Sequence, residues 1–249
     1  MLPVFVRTLR AIAGRMGYTV QRNSVYPDDL EASFRTICDR VRPFTMTSVQ
    51  RMYGLYKAVE YVVGHRIPGD IVECGVWKGG SSMLAALTLK QFGDQTRRIF
   101  LYDTFAGMPE PGNRDVAVNG RDARDTWARR KRNGFNEWCL APLDAVKENL
   151  LSTDYPAEKL IFAKGKVEET IPRVAPDTIS ILRLDTDWYE STYHELLHLF
   201  PRLAKGGVLL LDDYGFWKGS RDAVDRYLSE HQIPMLLSRL DTGRMGIKL

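Results

Sequence analysis

In this 249-residue sequence, two acidic groups are placed to do chemistry: Asp185–Thr186–Asp187 and Asp212–Asp213. Each follows a short apolar run, Ile179–Leu184 and Gly207–Leu211. If those runs are adjacent parallel strands, Asp185 and Asp212 stand side by side at one edge of a sheet. Carboxylates converging there repel one another. They need protonation, basic partners such as Arg183 or Lys218, or a hard cation. An oxygen-only donor set with few residues suits Mg²⁺, which keeps several of its waters. The competing reading is that the acids cap the helices that follow.

A second group surrounds a glycine turn, Glu73–Cys74–Gly75–Val76–Trp77–Lys78–Gly79–Gly80–Ser81–Ser82. Glycines between a strand and a helix let a ligand approach the backbone, and the helix start offers free N–H groups. The run is neither G-x-G-x-x-G nor a P-loop. Glu73 would repel a pyrophosphate and favour a ligand with a cationic amino group, such as the methionine part of S-adenosylmethionine. Alternatively, Glu73 is a structural salt-bridge partner. Asp103, in Tyr102–Asp103–Thr104–Phe105, is placed to accept ribose hydroxyls, a geometry that serves NAD and S-adenosylmethionine alike. His194 and His198 are four apart and read as helix-surface residues, with His194 a weak acid/base candidate. No nucleophile elbow is present in the sequence.

The elements that must position these residues alternate. Strands are expected at Asp70–Val76, Ile99–Tyr102, Leu160–Ala163, Ile179–Leu184 and Gly207–Leu211, with a terminal hairpin around Asp241–Thr242–Gly243. Helices are expected from Ser48 to Gly64 and over Ser81–Gln91, Tyr193–Leu203 and Arg221–Glu230. Short apolar strands separated by helices imply an α/β fold: an open, mostly parallel sheet covered on both faces. Residues 1–66 read as an N-terminal helical cap or oligomerisation segment, and 67–249 as the main domain. Leu2, Phe5, Leu9, Ile12 and Met16 recur at helical spacing, which makes a homo-oligomer the expected state. The stretch at about 106–136 lacks strand character, carries many arginines between Arg121 and Arg132, and reads as a lid insert.

The net charge of +4 is too small to imply a nucleic-acid partner. Cys38, Cys74 and Cys139 have no metal or disulfide spacing, which fits a reducing, cytoplasmic location. No apolar run is long enough for stable membrane insertion.

Several blocks together resemble the macrocin O-methyltransferase family. They are Thr45–Met46–Thr47–Ser48, Gly69 to Gly80, Tyr102 to Pro109, Leu184 to Thr192, and Gly206–Gly207 through Asp212–Asp213–Tyr214. They occur in the family's order from about Thr45 to the C-terminus. The resemblance implies a Rossmann-like class I methyltransferase with an antiparallel last strand, acting on hydroxyls, often of deoxysugars, with S-adenosylmethionine and Mg²⁺. It implies cofactor contacts from Met46, Thr47, Ser48, Glu73, Gly75 and Asp103, and metal ligation by Asp185, Asp212 and Asp213. We extend the expected cofactor contacts to Val76, Gly79, Ser81, Ser82, Thr104, Phe105 and Asp185. Glu168 is added from the turn 165–170, where many relatives have an aromatic residue followed by Asp. Asp185–Thr186–Asp187 likewise stands where the family usually has Asp-Gly-Asp.

The expected reaction is metal-assisted transfer of a methyl group to a hydroxyl of a small, sugar-bearing acceptor. Asp185 is the first choice for the base and Asp187 the second. The rival readings are an NAD-dependent oxidoreductase, against which Glu73 and the missing fingerprint stand, and a non-catalytic scaffold, which has no need of a repulsive acid cluster.

Overall fold

The computed structural model describes residues 26–249. The N-terminal apolar stripe from Leu2 to Met16 lies outside them. Two compact units divide the chain, Met1–Arg35 and Thr36–Leu249. In the described part of the first, the Arg35 guanidinium donates to the carbonyls of Pro27 and Asp28.

The second unit carries a seven-stranded sheet. Its strands are β1 Asp70–Cys74, β2 Ile99–Asp103, β5 Leu160–Lys164, β6 Ile179–Leu184, β7 Leu203–Leu211, β8 Ser238–Leu240 and β9 Gly243–Ile247. A separate two-stranded hairpin pairs β3 Lys131–Arg132 with β4 Phe135–Asn136. The order across the large sheet is β5-β2-β1-β6-β7-β9-β8. The first five strands run parallel, and β9 joins β7 antiparallel. This is the Rossmann-like arrangement read from the sequence. Strand β6 is buried at every residue, as a parallel strand covered on both faces must be.

The described α-helices are α1 Ala32–Val41, α2 Val49–Gly64, α3 Gly80–Gln91, α4 Ala123–Arg130, α5 Leu143–Leu151, α6 Val167–Thr170, α7 Tyr189–Leu199 and α8 Lys218–Glu230. Helix α2 packs on α3, and α7 on α8. Ser48 caps α2, its hydroxyl accepting the Arg51 N–H at 3.3 Å. The chain runs from β1 outward to β2 and β5, then crosses to β6 and β7 on the other side of β1. Ligands bind at the carboxyl ends beside such a reversal.

The arginine-rich stretch is more ordered than its polarity suggests. It contains α4 and the β3–β4 hairpin, and three tryptophans beneath it form a cluster. Ring centroids lie 5.1 Å apart for Trp188–Trp217, 5.6 Å for Trp138–Trp188 and 6.1 Å for Trp138–Trp217. Edge-on packing of this kind suits aromatic quadrupoles. No described helix is long and apolar enough to cross a membrane.

Candidate active site

A cavity of about 440 Å³ opens at the carboxyl ends of β1, β2, β6 and β7. Its floor begins at the glycine turn. Gly75 has φ +84°, and a Cβ there would lie 1.9 Å from the Asp185 carbonyl oxygen. The turn after β1 therefore touches the turn after β6, an approach open only to glycine. Gly80 plays the same part for another segment. A Cβ on it would come within 2.6 Å of the Phe44 carbonyl, so Thr45–Met46–Thr47 lies over the start of α3.

Asp103 organises the turn from β2. Its Oδ2 accepts the N–H groups of Val76 at 2.8 Å and Trp77 at 2.9 Å, and its Oδ1 accepts that of Phe105 at 2.7 Å. Burial raises its pKa, and these backbone donors oppose the rise. Asp103 thus lines the cavity and also holds its backbone in place.

Glu73 is 2% exposed and sits directly across the β1–β6 ladder from Arg183. Its Oε1 accepts from the Arg183 guanidinium at 2.6 Å, and its Oε2 accepts the Ser82 hydroxyl. Burial pushes its pKa up, while the Arg183 charge pulls it down. Glu73 therefore has the salt-bridge role weighed above while still facing the cavity.

Asp185, Asp212 and Asp213 each offer a carboxylate oxygen within 4.8 Å of the others. Arg183 donates to Asp185 Oδ2 and Asp212 Oδ1, both at 2.8 Å. Arg51, from α2, reaches Asp212 Oδ2. Basic partners are thus part of the answer to carboxylate repulsion. They are not all of it, because Glu73, Asp185, Asp187, Asp212 and Asp213 outnumber Arg51 and Arg183. Burial raises the pKa of both Asp185 and Asp213 well above the ordinary value. A clustered, desolvated, all-oxygen donor set with excess negative charge fits a hard divalent cation.

Asp187 has φ +67° in the turn after β6. Its backbone N–H donates to Asp213 Oδ2 at 3.0 Å, and its Oδ1 accepts the Trp217 indole N–H at 2.5 Å. Burial, and then the Asp185 charge, push its pKa up to about 7.

Of the residues expected to serve the site, Met46, Thr47, Glu73, Gly75, Val76, Ser81, Asp103, Thr104, Glu168, Asp185, Asp187, Asp212 and Asp213 line this one cavity. Ser48, Gly79, Ser82 and Phe105 do not line it. Ser48 caps α2, Gly79 takes the left-handed position before α3, Ser82 braces Glu73, and buried Phe105 packs near Phe162. His194 is also elsewhere, its Nε2 against the Ile171 carbonyl at 3.0 Å.

Sequence reasoning missed Arg51, Trp138 and Trp217 on the cavity wall and gave Arg183 only a minor part. The one available signal was Arg183 itself, a charge inside the otherwise apolar strand Ile179–Leu184, where charged residues are rarely buried unpaired.

The insert is keyed into this site. Buried Asp115 accepts the Tyr189 N–H at 2.8 Å and the Gly112 N–H at 2.6 Å. The Trp188 indole donates to the Pro109 carbonyl at 3.1 Å, and the Lys218 N–H to the Val116 carbonyl at 2.9 Å. Met108, Pro109, Arg121 and Trp138 thereby line the cavity beside Phe216 and Trp217.

Glu195 on α7 is fully buried, with no basic partner among the described residues and only the Thr186 hydroxyl and the Cys74 thiol beside its carboxyl group. Burial raises its pKa well above the usual value. A buried acid with a raised pKa keeps its proton in the folded state longer than in the unfolded one. Stability is therefore lost as pH climbs from the unfolded value of 4.5. Glu195→Met should stabilise the protein by about 1–3 kcal/mol near pH 8. The gain should shrink toward pH 4, measured by denaturant titration across that range. A gain that is equal at both pH values would refute the assignment.

A family model described as Macrocin-O-methyltransferase (TylF) matches residues 16–246. The chain is 36% identical over 197 residues to 8-demethyl-8-(2,3-dimethoxy-alpha-L-rhamnosyl)-tetracenomycin-C 4'-O-methyltransferase of Streptomyces olivaceus, covering 79% of this chain and 72% of that protein. It is 32% identical to demethyldecarbamoylnovobiocin O-methyltransferase of Streptomyces niveus, with the same shares covered. The solved structure of the O-methyltransferase NovP aligns with a TM-score of 0.73 at 31% identity, over 82% of each chain.

Proposed function

Since the chain belongs to the macrocin O-methyltransferase family, we propose that it is an S-adenosylmethionine- and Mg²⁺-dependent enzyme methylating a hydroxyl of a glycosylated natural product. The observation that carries this reading is the meeting of Asp185, Asp212 and Asp213 beside a glycine-floored cavity. The acceptor class rests on the relatives, named for rhamnosyl-tetracenomycin and novobiocin intermediates.

Glu73, Gly75 and Asp103 would hold S-adenosylmethionine, which when bound would supply an electrophilic methyl group. Asp185, Asp212 and Asp213 would hold a divalent cation, which would supply positive charge beside the acceptor hydroxyl and lower its pKa. The chain's own residues do the rest. Glu73 offers negative charge to the cofactor's amino group, and Asp103 fixes the backbone around it. Asp187 takes the acceptor proton. We place it ahead of Asp185 in that role because Asp185 is committed to Arg183, whereas Trp217 aims Asp187 into the cavity. The aromatic wall of Trp138, Phe216 and Trp217 excludes water and aligns the two reacting atoms.

Calorimetry with S-adenosylhomocysteine and with NAD tests the cofactor assignment. The former should bind and the latter should not; the reverse result would sink the methyltransferase reading. Removing divalent cations with a chelator should abolish methyl transfer to a glycoside panel, and added Mg²⁺ should restore it. Full activity in chelator refutes the cation's role.

A further inference from the structure

We propose that Arg183 is a positioning residue that couples the cofactor end of the cavity to its cation end. The inference rests on the function proposed above and adds how the two subsites are held to one geometry. Arg183 is 3% exposed, in the middle of β6. One guanidinium nitrogen serves Glu73 at 2.6 Å. The other serves Asp185 and Asp212, both at 2.8 Å, and the Thr47 hydroxyl at 3.2 Å. Four chain segments thus converge on one rigid, planar group: the stretch before α2, β1, the turn after β6 and the turn after β7.

Glu73 belongs to the cofactor end, and Asp185 with Asp212 to the cation end. No acid at either end can shift without disturbing the fork that holds the other. Arg51 braces the network from outside, since it shares Asp212 with Arg183 and approaches Asp241 at 3.5 Å. A lysine at position 183 would keep the charge but lose the fork. Its single ammonium is a compact point charge and cannot span three carboxylates as a guanidinium does. A purely structural ion pair would alter stability while leaving ligand affinities alone in a folded variant. A coupling residue alters affinity at both ends.

The test is calorimetry on the full chain with two probes. S-adenosylhomocysteine is titrated in chelator, and Mg²⁺ is titrated without cofactor. Arg183→Lys should weaken both affinities about tenfold, the lower end for loss of a group that orients ligands, whereas Asp213→Asn should weaken only that for Mg²⁺. Arg183→Lys moving one affinity, or neither, overturns the inference while leaving the proposed function standing. Wild-type protein that binds neither probe overturns both. Should Arg183→Lys fail to fold, Glu73→Gln decides. A several-fold change in Mg²⁺ affinity supports transmission through Arg183, and an unchanged affinity overturns it.

Discussion

Asp187→Asn is expected to lower kcat by about 10²–10⁴-fold, the range for loss of a general base, while S-adenosylhomocysteine affinity stays within about threefold. The substitution keeps size and shape and removes the carboxylate's charge and proton affinity. Asparagine tolerates the positive φ of this turn. Its side-chain oxygen can still accept the Trp217 indole N–H, and its backbone N–H can still donate to Asp213. What it cannot do is take the acceptor's proton. Single-turnover methyl transfer at saturating cofactor measures the effect directly, and an unchanged rate would assign the proton to another group.

Gly75→Ala is expected to be among the most damaging single-methyl changes at the described glycines. The added carbon would stand 1.9 Å from the Asp185 carbonyl oxygen and 2.6 Å from the carbon behind it. Neither strand end can yield, because the Gly75 N–H is bound to Tyr102 and the Asp185 N–H to Cys74, both at 2.9 Å. A left-handed backbone costs a non-glycine residue about 1–2 kcal/mol, and overpacking adds about 1–3 kcal/mol. For a chain of this size the midpoint of thermal unfolding should fall by roughly 5–15 °C. The surviving folded fraction should have lost S-adenosylhomocysteine binding, because the displaced backbone is the cavity floor. A variant with the wild-type melting temperature and affinity would contradict this account of the floor.

The parallel strands were legible because burial on both faces writes them as continuous apolar runs. Ile179–Leu184 was read to the residue. The turns after them were legible too, since acids and glycines at strand ends are chemically conspicuous. Helix starts were less so. The sequence places α7 from Tyr193 and α8 from Arg221, but they begin at Tyr189 and Lys218. The residues ahead of them, Trp188 and Trp217, provide no side-chain cap. The partners come instead from the insert: Asp115 for Tyr189 and the Val116 carbonyl for Lys218. A rule that looks for a cap next to the helix cannot find one some 70 to 100 residues away. The same distance hid the roles of Arg51 and Trp217, whose meaning lies in partners that only the folded chain supplies. Helix α5, Leu143–Leu151, went unread between the insert and β5.

Asp115 also bears on how this enzyme could be re-engineered. A Cβ on Gly219 would meet its Oδ1 at 2.3 Å, so the carboxylate is seated in a notch that the start of α8 leaves open. The insert is therefore not a detachable cassette. A chimera that replaces residues 106–136 without keeping the matching acid, glycine and tryptophans would leave two helices unstarted beneath the turns that carry the candidate site. Shifts in acceptor choice are better sought by exchanging side chains at the open rim, Met46 and Phe216, which the cavity exposes and no helix start depends upon.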